Sequence, residues 1–148
     1  AQTLTRCRNF MHQPGISVLK EALAASQYSS VHAMHDPTEG GLATALHEIA
    51  TAAGVGLLVR AEAVPVLAET QAICNHYHLD PMGLIASGAL LIILAANELE
   101  NLLSRLQSEG IEAVEIGEVT EKSKGVKLLT ADGLCDLPLY EQDELTRI

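Results

Sequence analysis

Residues 35–42, which read HDPTEGGL, hold the combination of residue types best suited to chemistry in this chain. A predicted strand ends at the carboxylate of Asp36, and two glycines then allow a tight turn into a predicted helix. The first N–H groups of a helix lack partners within it and carry partial positive charge, so an anion can bind there. Asp36 could orient those amides, accept from a substrate or help to hold a metal ion. The pattern is equally typical of plain helix capping, with Asp36 or Thr38 as the N-cap.

Ser87 and Gly88 form the second candidate segment. They follow an LDP sequence at 79–81 and precede the longest apolar run of the chain, at 89–96. A turn that leads into a buried strand can present Ser87 to a cleft, or it can be a turn and nothing more. Both interpretations stay open on the residues alone.

Cys74, His76 and His78 have a spacing that invites a metal-binding interpretation. On a helix, positions i, i+2 and i+4 do not share a face, so three ligands could not converge. We therefore predict no metal site here. His35 adjoins the first candidate segment, and a histidine whose hydrogen bonds are satisfied within the fold is its simplest role. The sequence has no P-loop, dinucleotide fingerprint or nucleophile elbow.

Composition narrows the class of protein. The 148 residues carry 19 acids against nine Lys and Arg, a formal charge of −10. This balance excludes the basic surface that a nucleic acid requires, although a helix N-terminus can still bind phosphate without Lys or Arg. Apolar residues make up 48% of the chain, which excludes a disordered one, and the scarcity of aromatics (3%) predicts an aliphatic core.

The remaining global signals predict a cytoplasmic location. Three widely spaced cysteines give no disulfide framework, no apolar run reaches the length of a membrane span, and the start does not resemble a signal peptide. The chain begins with Ala1 rather than Met, so we expect it to be part of a longer protein.

Hydrophobic periodicity predicts alternating helices and strands. We expect helices over 16–25, 42–53, 68–78 and 98–109, and strands over 31–34, 55–59, 89–95, 114–119, 126–129 and 135–137. The eight-residue apolar run should form an interior strand covered on both faces. Strands that follow one another directly at the end favour an α+β fold, with a mixed β-sheet covered by helices in three α/β/α layers.

Five short segments resemble one family when they are read together and in order. They are PGISVL at 14–19, HDPTEGGL at 35–42, LDP at 79–81, Ser87-Gly88 and IGEVT at 116–120. The chain resembles the C-terminal domain of the AIR synthase-related (PurM-like) proteins from residue 14 to the end. Residues 1–13 would then be an arm or linker. The hydrogenase-maturation branch of the family is the most similar, because it shares the His-Asp-Pro-Thr spelling.

The resemblance implies an ATP-dependent enzyme of two domains. In this family an N-terminal domain, absent from this chain, dimerises and supplies most ligands of ATP and Mg²⁺, and the C-terminal domain closes the cleft. ATP phosphorylates an oxygen of a small-molecule substrate. The expected partners are therefore the chain's own N-terminal domain, that substrate and a second copy in a homodimer, with no nucleic acid and no membrane. The isolated domain should be inactive.

Site residues follow from the same resemblance. Asp36 would be the catalytic residue, and the residues that contact substrate or phosphate would be His35, Thr38, Gly40, Gly41, Ser87 and Gly88. The hydrogenase-maturation relatives usually read Asn-Glu-Gly-Lys where this chain has Ala86-Ser87-Gly88-Ala89, and they end in a catalytic cysteine. Two alternatives therefore stand beside the general function: a carbamoyl dehydratase domain of hydrogenase maturation, and a non-catalytic binding domain of the same fold.

Overall fold

The computed structural model describes residues 2–28 and 30–148. Helices and strands alternate along most of the chain. The helices are α1 (Gln2–Asn9), α2 (Leu19–Tyr28), α3 (Gly41–Ala53), α4 (Ala68–Tyr77) and α5 (Leu99–Ser108). The strands are β1 (Val31–His35), β2 (Gly56–Arg60), β3 (Leu91–Leu94), β4 (Gly117–Thr120), β5 (Val126–Thr130) and β6 (Gly133–Asp136).

The apolar run of the sequence forms β3, which pairs antiparallel with β1 in a two-stranded sheet. Side chains of a strand alternate between its faces. Leu91 and Ile93 pack into one hydrophobic cluster, while Ile92 and Leu94 pack against the other. The predicted cover on both faces is confirmed, but the expectation of an interior strand is wrong, because β3 is hydrogen-bonded to β1 alone within the described sheet.

A second sheet has the strand order β4-β2-β5-β6. The β2 and β5 strands run parallel, whereas β4 and β6 are antiparallel to their neighbours. The predicted mixed sheet is therefore confirmed. Its inner face contributes Leu57, Val59 and Leu128 to the larger cluster.

Helix α3 lies between the two sheets. Its Ala43, Leu46 and Ile49 belong to the same cluster as Leu57 of the mixed sheet and Leu91 of the small sheet. On the other face of the small sheet, α2 and α5 enclose the second cluster, which centres on Leu102 and Leu106. The layers follow in the order α2/α5, β1/β3, α3 and the mixed sheet, and the α+β class is confirmed.

Residues Gln2–Asn9 form α1, and the assignment of residues 1–13 to an arm or linker stays a prediction. Arg6 Nε lies 3.1 Å from Oε1 of Glu69 on α4, and this glutamate is buried. The pair attaches α1 to the rest of the fold. Within the described residues, no helix combines the length and the apolarity needed to cross a membrane.

Candidate functional site

The loop at 36–41 connects β1 to α3 and binds the second candidate segment. The carbonyl oxygen of Thr38 accepts from the Gly41 N–H at 3.1 Å and from the Ala86 N–H at 3.3 Å. One backbone oxygen therefore joins the start of α3 to the turn that contains Ser87 and Gly88. Two segments nearly 50 residues apart in sequence meet at one edge of the domain.

Glycine is required where these segments approach each other. Gly41 has φ +66°, and a Cβ there would lie 2.5 Å from Met82 O and 2.6 Å from Leu84 O. The backbone of 82–84 thus packs directly on the first turn of α3. Gly88 has φ +99°, and its Cβ position is 3.2 Å from the Gly15 carbonyl oxygen. The start of the family-like region therefore contacts the same edge.

The predicted site residues divide into an exposed and a buried set. The side chain of Asp36 is 69% exposed, and Thr38, Ser87 and Gly88 are exposed as well. Gly40 and Gly41 are buried beneath them. The exposed residues can contact a ligand, whereas the two glycines shape the turn that carries Asp36 and Thr38.

His35 stands at the end of β1 beside this loop. Its Nε2 lies 2.6 Å from Oε2 of Glu48 on α3, and its Nδ1 lies 3.9 Å from Oδ1 of Asp36. The predicted hydrogen-bonded histidine is present, and its partner is a carboxylate 13 residues further along the chain.

The N-terminus of α3 is capped from the other end of the chain. Gly40 is the N-cap residue, and no side chain of the N-cap itself bonds the helix, so the expectation that Asp36 or Thr38 caps it is wrong. The Gly40 N–H donates instead to Asp143 Oδ2 at 2.8 Å. A carboxylate thus occupies the position where the sequence predicts an anion. Phosphate binding by the amides of Gly40 and Gly41 stays a prediction, because Asp143 accepts from the first N–H and the Thr38 carbonyl oxygen accepts from the second.

Residues 137–148, the C-terminal segment, cover this side of the fold through several polar contacts. The Tyr140 hydroxyl donates to Asp80 Oδ2 at 2.5 Å, and the Asp80 N–H donates to Glu144 Oε2 at 2.8 Å. Arg147 Nη1 lies 2.7 Å from the same Glu144 oxygen. Gly83 leaves room for the Tyr140 ring, which a Cβ would meet at 2.5 Å. The segment is therefore bound to the turn at 80–83.

Electrostatics in this network follow from burial and pairing. The hydrogen bond from Arg147, with that from the Asp80 N–H, lowers the pKa of Glu144 below its ordinary value despite burial. Burial and the adjacent Asp80 carboxylate raise the pKa of Tyr140, which stays protonated as a donor. Burial also raises the pKa of the Cys74 thiol.

Because His76 and His78 are exposed while Cys74 is buried, the structure does not bring these three together.

A shallow cleft of about 440 Å³ opens beside the start of α3. Its lining residues are Glu39, Ile85, Glu141, Gln142, Asp143, Leu145 and Thr146. Three of these side chains are acidic, so a phosphate group bound here would need an accompanying cation. Across residues 2–28 and 30–148, no group of three or more His, Cys, Asp or Glu is placed to hold a metal ion.

Sequence reasoning missed the residues that the tertiary fold adds to this edge. Asp143 lies 103 residues from Gly40, and Glu144 lies 64 residues from Asp80. No local pattern connects positions so far apart. The Asp80-Pro81 dipeptide did carry a signal, because Asp80 caps the short helix Pro81–Gly83 by accepting from the Met82 N–H at 2.8 Å.

Comparison with known proteins agrees with the segments noted above. The family model described as "AIR synthase related protein, C-terminal domain" matches residues 13–128. The carbamoyl dehydratase HypE of Cupriavidus necator is 41% identical over 96 residues, which are 64% of this chain and 27% of that protein. HypE of Escherichia coli is 36% identical over 116 residues, 75% of this chain and 34% of that protein. The chain thus spans about a third of the length of these curated relatives.

Solved structures give the same result. A crystal structure of E. coli HypE, a hydrogenase maturation protein, superposes with a TM-score of 0.78 at 32% identity, covering 88% of this chain and 42% of that one. A HypE structure in complex with ATP has a TM-score of 0.68 at 35% identity over 76% of this chain and 37% of that one. A HypE–HypF complex has a TM-score of 0.68 at 29% identity over 74% of this chain and 37% of that one. This chain belongs to the AIR synthase-related proteins, and it corresponds to their C-terminal domain.

Proposed function

We propose that this chain is the C-terminal domain of an ATP-dependent enzyme that activates an oxygen of a small molecule by phosphorylating it. The observation that carries the proposal is the bond between Thr38 O and the Ala86 N–H, which places the exposed parts of both family segments at one edge. Such an edge can form one wall of a cleft whose other wall lies in another domain. The domain would close that cleft over ATP and substrate.

Each exposed residue of this edge has its own proposed role in binding or catalysis. Asp36 is the proposed catalytic residue, because its exposed carboxylate can orient a substrate or accept its proton. Thr38 and Ser87 offer hydroxyl groups, and Gly88 offers exposed backbone. His35 would contact the substrate from the end of β1.

The residues present suit a phosphate only in part. When bound, ATP supplies the phosphoryl group that turns an oxygen into a leaving group. The acidic cleft beside α3 favours a phosphate accompanied by Mg²⁺, yet the described part of the chain offers no metal-binding cluster. We infer that Mg²⁺ and most of the nucleotide are held by a separate N-terminal domain. This agrees with relatives about three times as long.

The proposed assembly has the N-terminal domain of the same protein as its first partner. We place residues 1–13 in the linker between the domains and residues 14–148 in the C-terminal one. We also propose a homodimer in the cytoplasm. The HypE–HypF structure adds a second kind of partner, since a relative of this chain binds another protein.

Hydrogenase maturation is the specific candidate within this general function. The similarity to HypE carbamoyl dehydratases, at 41% and 36% identity, favours a carboxamide as the substrate. Phosphorylation of its oxygen followed by loss of phosphate and of the amide protons would leave a nitrile. The general proposal does not depend on this assignment.

The test is ADP release by the full-length protein with Mg²⁺-ATP and a panel of carboxylates, carboxamides and alcohols. We expect turnover with one acceptor class, and a loss of roughly 100-fold or more in Asp36→Asn. Because the Asp36 side chain is exposed, the Asp36→Asn variant should have the same melting temperature as the wild type. Glu100→Gln on α5, an exposed acid outside the family segments, is the matched control and should keep full activity.

Two results would overturn the proposal. A folded full-length protein that releases no ADP with any acceptor would favour a non-catalytic binding domain. Full activity in Asp36→Asn would place the chemistry elsewhere. A nitrile product from a carboxamide would support the hydrogenase-maturation candidate.

A further inference from the structure

Glu48 and His35 form a carboxylate–imidazole pair, and the proposed function gives Glu48 no role. The distance from His35 Nε2 to Glu48 Oε2 is 2.6 Å. An ionised carboxylate only accepts hydrogen bonds, so Nε2 must carry the proton of the neutral ring and donate it. The bond to Glu48 therefore leaves the lone pair on Nδ1.

Nδ1 faces the exposed loop of the candidate site. It lies 3.9 Å from Asp36 Oδ1, which is beyond hydrogen-bonding distance. The His35 side chain is 31% exposed, so a ligand at the loop can reach it. Two lone-pair groups, the Nδ1 nitrogen and the Asp36 carboxylate, thus converge on the same small volume in front of the loop.

The element that carries Glu48 is well suited to hold the ring in place. Helix α3 buries Ala45, Leu46 and Ile49 around this position, so the backbone of Glu48 is fixed by core packing. The backbone of His35 is fixed by its pairing with Leu91. His35 is therefore held at its backbone by β1 and at Nε2 by Glu48, whose side chain is 60% exposed and extends from the rigid helix α3.

We propose that Glu48 is a positioning residue, which holds His35 so that Nδ1 accepts a proton from the substrate. This inference rests on the proposed function and adds an acid–base group to the same site. The substrate O–H or N–H bond breaks, its proton moves to Nδ1, and its electron pair stays on the substrate, where it supports attack of the oxygen on the γ-phosphorus as ADP leaves. The imidazolium then lies between the carboxylates of Glu48 and Asp36, and it returns the proton to solvent.

The positioning step can be tested in the 148-residue chain itself by ¹⁵N NMR of the imidazole nitrogens at alkaline pH. We expect His35 to show the pure tautomer protonated at Nε2. His32, exposed on the same strand, is an internal control and should show shifts averaged over both tautomers. Glu48→Ala should move the His35 shifts to averaged values, and Glu48→Gln should keep the tautomer because its amide oxygen still accepts.

The catalytic step is measured in the full-length protein by ADP release. General acid–base groups contribute about 100- to 10,000-fold, so His35→Ala should lower kcat within that range and leave KM for ATP nearly unchanged. Glu48→Ala should also lower kcat, and Glu48→Gln should recover part of the loss.

The two measurements separate this inference from the proposed function. Averaged shifts of His35 in the wild type, or unchanged shifts in Glu48→Ala, would overturn the positioning role whatever the enzyme assay gives. Wild-type kcat in His35→Ala would overturn the proton transfer while leaving the ATP-dependent function intact. Absence of ADP release from the wild type would instead defeat the proposed function, and with it the proton transfer.

Discussion

At the scale of single residues, Gly41 shows how close backbone contact builds the candidate site. Its φ of +66° is strained for other residues, and its missing Cβ admits two carbonyl oxygens from 82–84. Gly54 at the end of the same helix has the same φ, yet nothing lies within 4 Å of its Cβ position. A comparison of the two glycines therefore separates the destabilisation caused by a positive φ from the destabilisation caused by a steric clash of the added Cβ.

Gly41→Ala should destabilise the domain more than Gly54→Ala. Both substitutions carry the strain of positive φ, at about 1–2 kcal/mol. Only the first also forces backbone apart, which should add about 1–3 kcal/mol. Urea unfolding of both variants measures the difference in the free energy of unfolding. Equal losses would mean that the 82–84 segment moves away freely, and that the close contact is not needed.

At the scale of elements, β3 shows why an apolar run need not be an interior strand. Both of its faces are packed, because α2 and α5 lie against one side and α3 against the other, although only Leu91 is fully buried. An apolar run in the sequence indicates that both faces of a strand are packed. It does not indicate how many neighbouring strands are hydrogen-bonded to that strand. Length and hydropathy therefore predicted β3, whereas its pairing required the tertiary structure.

Leu91→Ala should cost about 2–5 kcal/mol of the free energy of unfolding, because this β3 side chain is only 8% exposed in the larger cluster. Leu134→Ala on β6, where the side chain is 62% exposed, is the control and should change stability by about 0.5 kcal/mol or less. Chemical denaturation of the two variants compares them directly. A loss at Leu91 as small as that at Leu134 would contradict the buried position of β3.

The C-terminal segment should respond to acid through Glu144. Its pKa lies below the ordinary value near 4.5, chiefly because of the hydrogen bond from Arg147. A lowered pKa in the folded state means that the ionised group stabilises the fold above that ordinary value. This contribution is lost as the pH falls through the folded pKa.

Glu144→Gln should therefore be less stable than wild type at neutral pH, by about 1–3 kcal/mol, and the gap should narrow at about pH 3.5. Glu141→Gln, an exposed acid in the same segment, should follow the wild-type pH dependence. Urea unfolding at the two pH values supplies the comparison. A gap that stays constant with pH would show that Glu144 does not titrate as its contacts imply.

At the scale of the whole molecule, local signals predicted elements and motifs but not the contacts between distant segments. Proline, glycine and apolar periodicity located α3 and the two loops that meet at Thr38. The carboxylates that contact Gly40 and His35, which are Asp143 and Glu48, have no local sequence pattern that marks them, because acidic residues are common on surface helices and terminal segments. The capping of Gly40 by Asp143 is the clearest case, since the sequence pointed to nearby residues that do not provide it.

The central claim is that the loop at 36–41 and the turn at 86–88 together face the ligand of the full-length protein. Hydrogen exchange of that protein, with and without Mg²⁺-ATP, tests it most directly. We predict slower exchange in peptides covering 36–42 and 84–90, and unchanged exchange in the exposed edge strand β6. Saturating Mg²⁺-ATP that protects other regions and leaves both segments unchanged would contradict the account.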